Sequence, residues 1–165
     1  MTAQIAEKLR YQGQDLAMTT EPLAAYFELG GSNPGFAPTS TALWRGYVGQ
    51  WEILDRRLYL ISLSGKLEDG TSAHLSSVFP DYPDRVFAHW FYGRLRVPQG
   101  RLIQYVHGGY ASVYEKDWFI DIERGVVVGE SVRQNGQASG DDPREGYRIG
   151  PMTTMPIFPN PKEVE

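Results

Sequence analysis

The sequence predicts a mainly β protein, an antiparallel meander forming a barrel or a sandwich, with one short helix near its N-terminal end. Three observations predict it. Apolar and polar residues alternate with a period of two through the long segments, glycine- and proline-bearing turns separate those segments, and aromatic residues make up 13% of the chain. Large flat side chains of that kind pack between the layers of a sheet. The length of 165 residues fits one domain, since a chain of about 150 residues buries roughly two-thirds of its unfolded surface and needs no covalent staple. Residues 1–133 are read as that domain and 134–165 as an extended Gly/Pro-rich tail.

Taken in order, a first short strand is expected around Leu9, Tyr11 and Gly13. Thr20-Glu21-Pro22 ahead of Leu23-Ala24-Ala25-Tyr26-Phe27 has the form of a helix start, with a hydroxyl cap, an acid in the first turn and a proline whose missing N–H costs little there. Gly30-Gly31 ends it, and the glycine, proline and serine of residues 30–41 predict a surface loop, where binding residues often lie. From Trp44 to Leu54 the pattern alternates, and Leu58 to Leu63 returns across Asp55-Arg56-Arg57, so the two form a hairpin. A further turn at Glu68-Asp69-Gly70 leads into a strand before Phe79, and Pro80 to Asp84 is a loop by composition.

The stretch from Val86 to Val132 is the centre of the chain. Between Phe87 and Val97 one face carries Phe87, His89, Phe91, Gly93, Leu95 and Val97 and the other Ala88, Trp90, Tyr92, Arg94 and Arg96. Pro98-Gln99-Gly100 is expected to break the ladder and start a hairpin, because proline lacks the N–H and glycine accepts positive φ. A strand over Arg101–His107 follows, then a turn or bulge at Gly108-Gly109, a strand over Val113–Ile122, a turn at Glu123-Arg124-Gly125 and the run from Val126. After Val132 the chain turns polar and rich in glycine and proline, which predicts a segment without regular structure, pinned to the body at most by Met152, Met155, Ile157 and Phe158.

The strings WRGYVGQWEILDRRLYLISL and VFAHWFYGRLRVPQGRLIQYVHGGYASVYEKDWFIDIERGVVV resemble a family of small bacterial proteins in which a W-R-G-Y strand, an R-[IV]-P-Q-G turn and a Y-V-H-x-G-Y-x-S-x-Y-E-[KR]-D segment recur. The resemblance runs from Trp44 to Val128. It implies a single compact β-rich unit, with Trp44, Arg45, Pro98, Gln99, His107, Tyr110, Tyr114, Glu115 and Asp117 as the matching positions. That family has no established activity, so it assigns none of them a role.

Composition excludes several classes of function. A formal net charge of −4 argues against binding duplex nucleic acid, which draws its affinity from lysine and arginine against phosphate. With no cysteine there is neither a disulfide framework nor thiolate chemistry. No secretory leader or apolar run of membrane-spanning length is legible, so a soluble cytoplasmic protein is expected, with no membrane contact. No G-x-S-x-G, phosphate loop or dinucleotide fingerprint occurs, and no cofactor is expected.

Candidate residues come from the aromatic and ionisable side chains of the central strands. His89 and His107 could meet across strands near Glu115 or Asp117, but no H-x-H or H-x-x-x-H spacing supports a metal, and none is assigned. Glu115, Asp117, Asp121 and Glu123 share one face of a strand as a solvated face or an acidic recognition strip. Neighbours two apart lie about 7 Å from each other, a spacing that glycosidase carboxylates share with many others. No catalytic residue is assigned. The functional expectation is a non-enzymatic, protein-binding module of the bacterial immunity or antitoxin kind, with an interface near Trp90, Tyr92, Arg94 and Arg96. The alternative is a small-ligand-binding or hydrolytic protein with its site in a barrel mouth lined by Trp44, Arg45, His89, His107, Tyr110 and Glu115, where Gly108-Gly109 would fold His107, Tyr110 and Glu115 into one neighbourhood.

Overall fold

The computed structural model describes residues 2–137, so most of the segment read as a tail lies outside the described residues. The chain opens with a hairpin of β1 (Glu7–Tyr11) and β2 (Gln14–Met18). Its two-residue turn uses Gln12 and Gly13, both at positive φ, the geometry that matches the twist of paired strands. After α1 (Pro22–Glu28) and the loop through residue 46, β3 (Tyr47–Leu54) returns beside β1 and pairs with it in parallel at Lys8↔Gln50. The long excursion makes this possible, since parallel neighbours need a crossover where antiparallel ones need only a turn. The sheet is therefore mixed and not a pure antiparallel meander.

The expected second hairpin is present as β3 and β4 (Arg57–Lys66). Asp55 and Arg56 take up the two left-handed positions of its turn. Two short strands, β5 (Ser72–Ala73) and β6 (Val86–Phe87), lean on β4, and a short helix α2 (Leu75–Val78) stands between them. This second helix replaces most of the strand expected before Phe79. The sheet is completed by β7 (Gly93–Gln104), β8 (Val113–Glu123) and β9 (Val126–Gln134). β9 extends two residues beyond the run expected to end at Val132.

Among the described residues all nine strands belong to one sheet with the path β2-β1-β3-β4-β9-β8-β7. It is not closed, so the barrel expectation is not met. The two ends of the path do approach: just after β2, the N–H of Thr19 donates to the carbonyl of Arg96 on β7 at 2.9 Å, without a ladder of pairs following. Leu9, Trp51, Leu58, Leu60, Leu95 and Ile120 meet inside the curve, with Leu23 of α1 packed among them.

Two local expectations fail for identifiable reasons. Phe87–Val97 is not one strand, because Ala88 to Tyr92 leave the ladder. Trp90 turns inward and its Nε1 donates to the Pro22 carbonyl at 2.8 Å, so alternation that looked like strand is a bend holding an aromatic anchor. Pro98-Gln99-Gly100 does not end a strand either. β7 runs through it, pairing Pro98 with Asp117 and absorbing the irregularity as a register shift between Gln99 and Leu102. β7 is the last strand on the path, and edge strands tolerate proline.

The start of α1 also differs from expectation. Its N-cap is Glu21, with no side-chain capping bond. The Thr20 hydroxyl instead accepts from the Arg96 N–H at 2.9 Å and donates to the Arg94 carbonyl at 3.3 Å. The hydroxyl thus fastens the helix entry to β7.

Candidate functional site: a buried Glu7–Arg45 pair below an acidic cleft

Glu7 stands in phase with Leu9 on the inner side of β1, and it is completely buried. Pairing with β3 begins one residue later, at Lys8↔Gln50, and the Glu7 carboxylate takes up the next free donor, accepting the Gly49 N–H through Oε2. Glycine is required at that position by space: a Cβ there would lie 2.7 Å from Trp51 Nε1 and 3.3 Å from Glu7 Oε1.

Arg45 reaches the same point from the other side. Leu43 to Gly46 form a tight turn, with the Gly46 N–H donating to the Leu43 carbonyl at 3.1 Å. Gly46 has φ of 79°, and a Cβ on it would stand 2.8 Å from the Ala37 carbonyl oxygen. This turn leaves Trp44 outside, 58% exposed, and sends Arg45 in, with 9% of its side chain exposed. Arg45 Nη2 is 3.5 Å from Glu7 Oε2 and Nη1 is 3.8 Å from Glu21 Oε2. Both are ion-pair distances, and neither makes a hydrogen bond. Among the described residues Nε, Nη1 and Nη2 all lack a hydrogen-bond partner, as does Glu7 Oε1.

The electrostatics follow from burial. Desolvation pushes the Glu7 carboxyl up to about 7, against the opposing pull of Arg45 and the Gly49 N–H. Burial alone would lower the Arg45 guanidinium, but Glu7, Tyr110 and Glu21 outweigh it and hold it charged. Burial raises Tyr47, helped by Glu7 and Glu21, and it raises Tyr110 against the pull of Arg45. Both phenols stay protonated, and the Tyr110 hydroxyl donates to the Ile5 carbonyl at 3.2 Å.

Above Arg45 opens a cleft of about 430 Å³ between α1, the loop at residues 33–36 and Glu68. Phe27, Phe36 and Tyr47 line it as a mutually packed triangle, with ring centroids 4.8 to 6.3 Å apart. Three carboxylates also line it, those of Glu21, Glu28 and Glu68.

Of the residues expected to form a site, Arg45 and Tyr110 come together here. The others lie among different partners. Trp44 is held through its backbone N–H by Gln4 Oε1 at 2.9 Å. His89 packs between Phe87 and Trp90, His107 packs edge-on to Tyr105, and the Glu115 carboxylate accepts the Arg101 N–H at 2.8 Å. The residues offered for a protein interface are largely engaged within the molecule: Trp90 is buried, Arg94 pairs with Asp121 at 2.7 Å and Arg96 with Asp117 at 2.8 Å. Sequence reasoning missed Glu7 and assigned Glu21 only to the helix start. The available signal was a carboxylate in phase with the apolar face of the first strand.

The carboxylates of β8 are not a uniformly solvated face. Asp117 is buried and receives Arg96 Nε at 2.8 Å, Arg133 Nη2 at 2.6 Å and Asn135 Nδ2 at 3.0 Å. Arg96 also donates to the carbonyls of Tyr110 and Ser112 at 2.6 and 3.0 Å. The cluster therefore braces the loop that carries Tyr110 to Arg45.

Among the described residues no group of three or more His, Asp or Glu side chains could hold a metal ion, and no helix is long and apolar enough to cross a membrane. No family model, curated protein or solved structure matches this chain.

Proposed function

We propose that the protein binds a small hydroxylated ligand in the cleft above Arg45, non-catalytically and in the cytoplasm. One observation carries this reading: Arg45, its guanidinium almost wholly removed from water and without a hydrogen bond among the described residues, is one of the residues that line a concave space with aromatic rings. Leaving buried donors unused is costly, and oxygen acceptors on a ligand would recover that cost. Glu21, Glu28 and Glu68 line the cleft and offer acceptors, and Arg45 lies beneath them with its nitrogens closed to water. Hydroxyl groups both give and accept hydrogen bonds, so a polyol or sugar ring suits it, with its apolar face against the rings. This reading keeps a small-ligand site but centres it on Arg45 instead of His107 and Glu115.

Titration with D-glucose, D-glucosamine and D-glucuronate, followed by amide chemical shifts, tests it. Saturable shifts are expected at Phe27, Phe36 and Tyr47, weakened about tenfold in Arg45→Lys, which keeps the charge but loses the planar fork. No saturable shift from any of the three sugars would overturn the reading.

A second reading, a module that binds another protein in the manner of an immunity protein, draws support from β9. Val128 and Val132 there are 50% and 54% exposed, and β9 meets β4 only at Arg57↔Val126, which among the described residues leaves much of one strand edge unpaired, where a partner strand could add.

A further inference from the structure

We infer that a second cleft, where β5 joins the end of β4, binds a small phosphate ester, with the phosphate on Lys66 and the apolar part of the ligand on Leu43, Leu63 and Ala73. The cleft holds about 520 Å³ and shares no lining residue with the one above Arg45, so the inference goes beyond the proposed function and does not depend on it. Its floor is made by Leu43, Leu63 and Ala73, all buried. The hydroxyls of Thr39, Ser62, Ser64 and Ser72 line it together with Lys66 and His74. No carboxylate does so among the described residues, although acids outnumber lysine and arginine by 20 to 16 in the chain. A cavity of this size with an apolar floor and a few convergent polar groups has the usual form of a small-ligand site.

Charge and packing point the same way. Neither Lys66 nor His74 forms an ion pair among the described residues. Of the acids in the turn that links β4 to β5, Glu68 lines the other cleft, and the Asp69 carboxylate accepts the N–H and the hydroxyl of Thr71 at 2.9 and 2.6 Å. A phosphate presents three terminal oxygens, which suits an ammonium, an imidazole N–H and several hydroxyls at once, whereas a carboxylate presents two. Both walls are fixed before a ligand arrives. Gly65 pairs with Tyr47 on one side and Ala73 on the other, and a Cβ on it would lie 2.9 Å from Tyr47 Cα. The Lys66 carbonyl accepts the Ala37 N–H at 2.8 Å, and across the cleft the Ala42 carbonyl, next to Leu43, accepts the Ile5 N–H at 2.8 Å. A preformed site loses little freedom on binding.

Titration of the full chain with phenyl phosphate, benzoate, benzyl alcohol and inorganic phosphate, followed by amide chemical shifts over residues 63–66 and 72–74, tests the inference. Phenyl phosphate is expected to give saturable shifts there and to bind about tenfold tighter than inorganic phosphate or benzoate, with its affinity falling as salt is added. Lys66→Met should weaken it about tenfold and Lys66→Arg by no more than about threefold. The Lys66 side chain is exposed, so both variants keep the fold. Benzoate binding as tightly as phenyl phosphate would overturn the choice of phosphate, and benzyl alcohol doing so would reduce the site to an apolar groove. No saturable shift from phenyl phosphate, or an affinity unchanged in Lys66→Met, would overturn the site itself. None of these outcomes bears on the Arg45 cleft, whose shifts are read at Phe27, Phe36 and Tyr47.

Discussion

Arg45 Nη2 lies 3.5 Å from Glu7 Oε2, with the carboxylate fully buried and the guanidinium nearly so. Two consequences follow for stability, because a charge taken out of water depends strongly on its partner and on its own protonation.

The first concerns pH. Glu7 in the folded protein titrates at about 7, above its ordinary value of 4.5, so between these values the folded state holds a proton that the unfolded state has lost. The associated stability is complete below pH 4.5, is lost as pH rises through about 7, and is flat above. The change is on the order of 3 kcal/mol. Urea unfolding at pH 5 and pH 8 should show it, and Glu7→Gln should remove most of the difference. An unchanged difference in that variant would assign the pH dependence to other groups.

Removing the cation should be worse than removing both partners. Arg45→Met leaves Glu7 buried without a positive neighbour and is expected to cost about 3–5 kcal/mol at pH 8. The cost should be smaller at pH 5, where Glu7 is neutral, and the double variant Arg45→Met, Glu7→Gln should recover part of it. Chemical denaturation of the four proteins in a double-mutant cycle measures the coupling. Strict additivity would mean that the pair contributes no coupling of its own.

Asp117 behaves in the opposite sense. Burial alone would raise its carboxyl, but hydrogen bonds from Asn135, Arg96 and Arg133 outweigh burial and hold it below the ordinary range. Its contribution is present above the ordinary carboxylate range and lost as pH falls through the folded value. Asp117→Ala should cost about 3 kcal/mol or more by leaving Arg96 unpaired. Arg133→Ala should cost under about 1 kcal/mol, since that side chain is largely exposed. Thermal unfolding would rank the two, and equal losses would contradict the burial argument.

Gly49→Ala places a methyl group 2.7 Å from Trp51 Nε1, and overpacking of this kind costs about 1–3 kcal/mol. Gly108→Ala is the control, because nothing lies within 4 Å of the added atom, and it should stay within about 0.5 kcal/mol. Denaturant midpoints of the two variants decide the matter. Equal midpoints would mean that the contact around Gly49 relaxes freely.

The period-two alternation by itself determined that this chain forms a sheet, and the turn at Asp55-Arg56 and the helix at Pro22–Glu28 were legible because turn geometry and helix starts are set by residues adjacent in sequence. Arg45 and Tyr110 could be singled out from the sequence, but what they meet could not. Their partner Glu7 reaches Arg45 only because β1 pairs in parallel with β3 across the long loop, a choice made by long-range packing and not by local propensity. For the same reason Trp90 read as part of a strand and Pro98 as its end. An inward hydrogen bond to Pro22 and the edge position of β7 decided otherwise. Alternation reports which side of a strand is apolar, whereas strand neighbours, and so the groups that share a buried site, are fixed only when the whole sheet assembles.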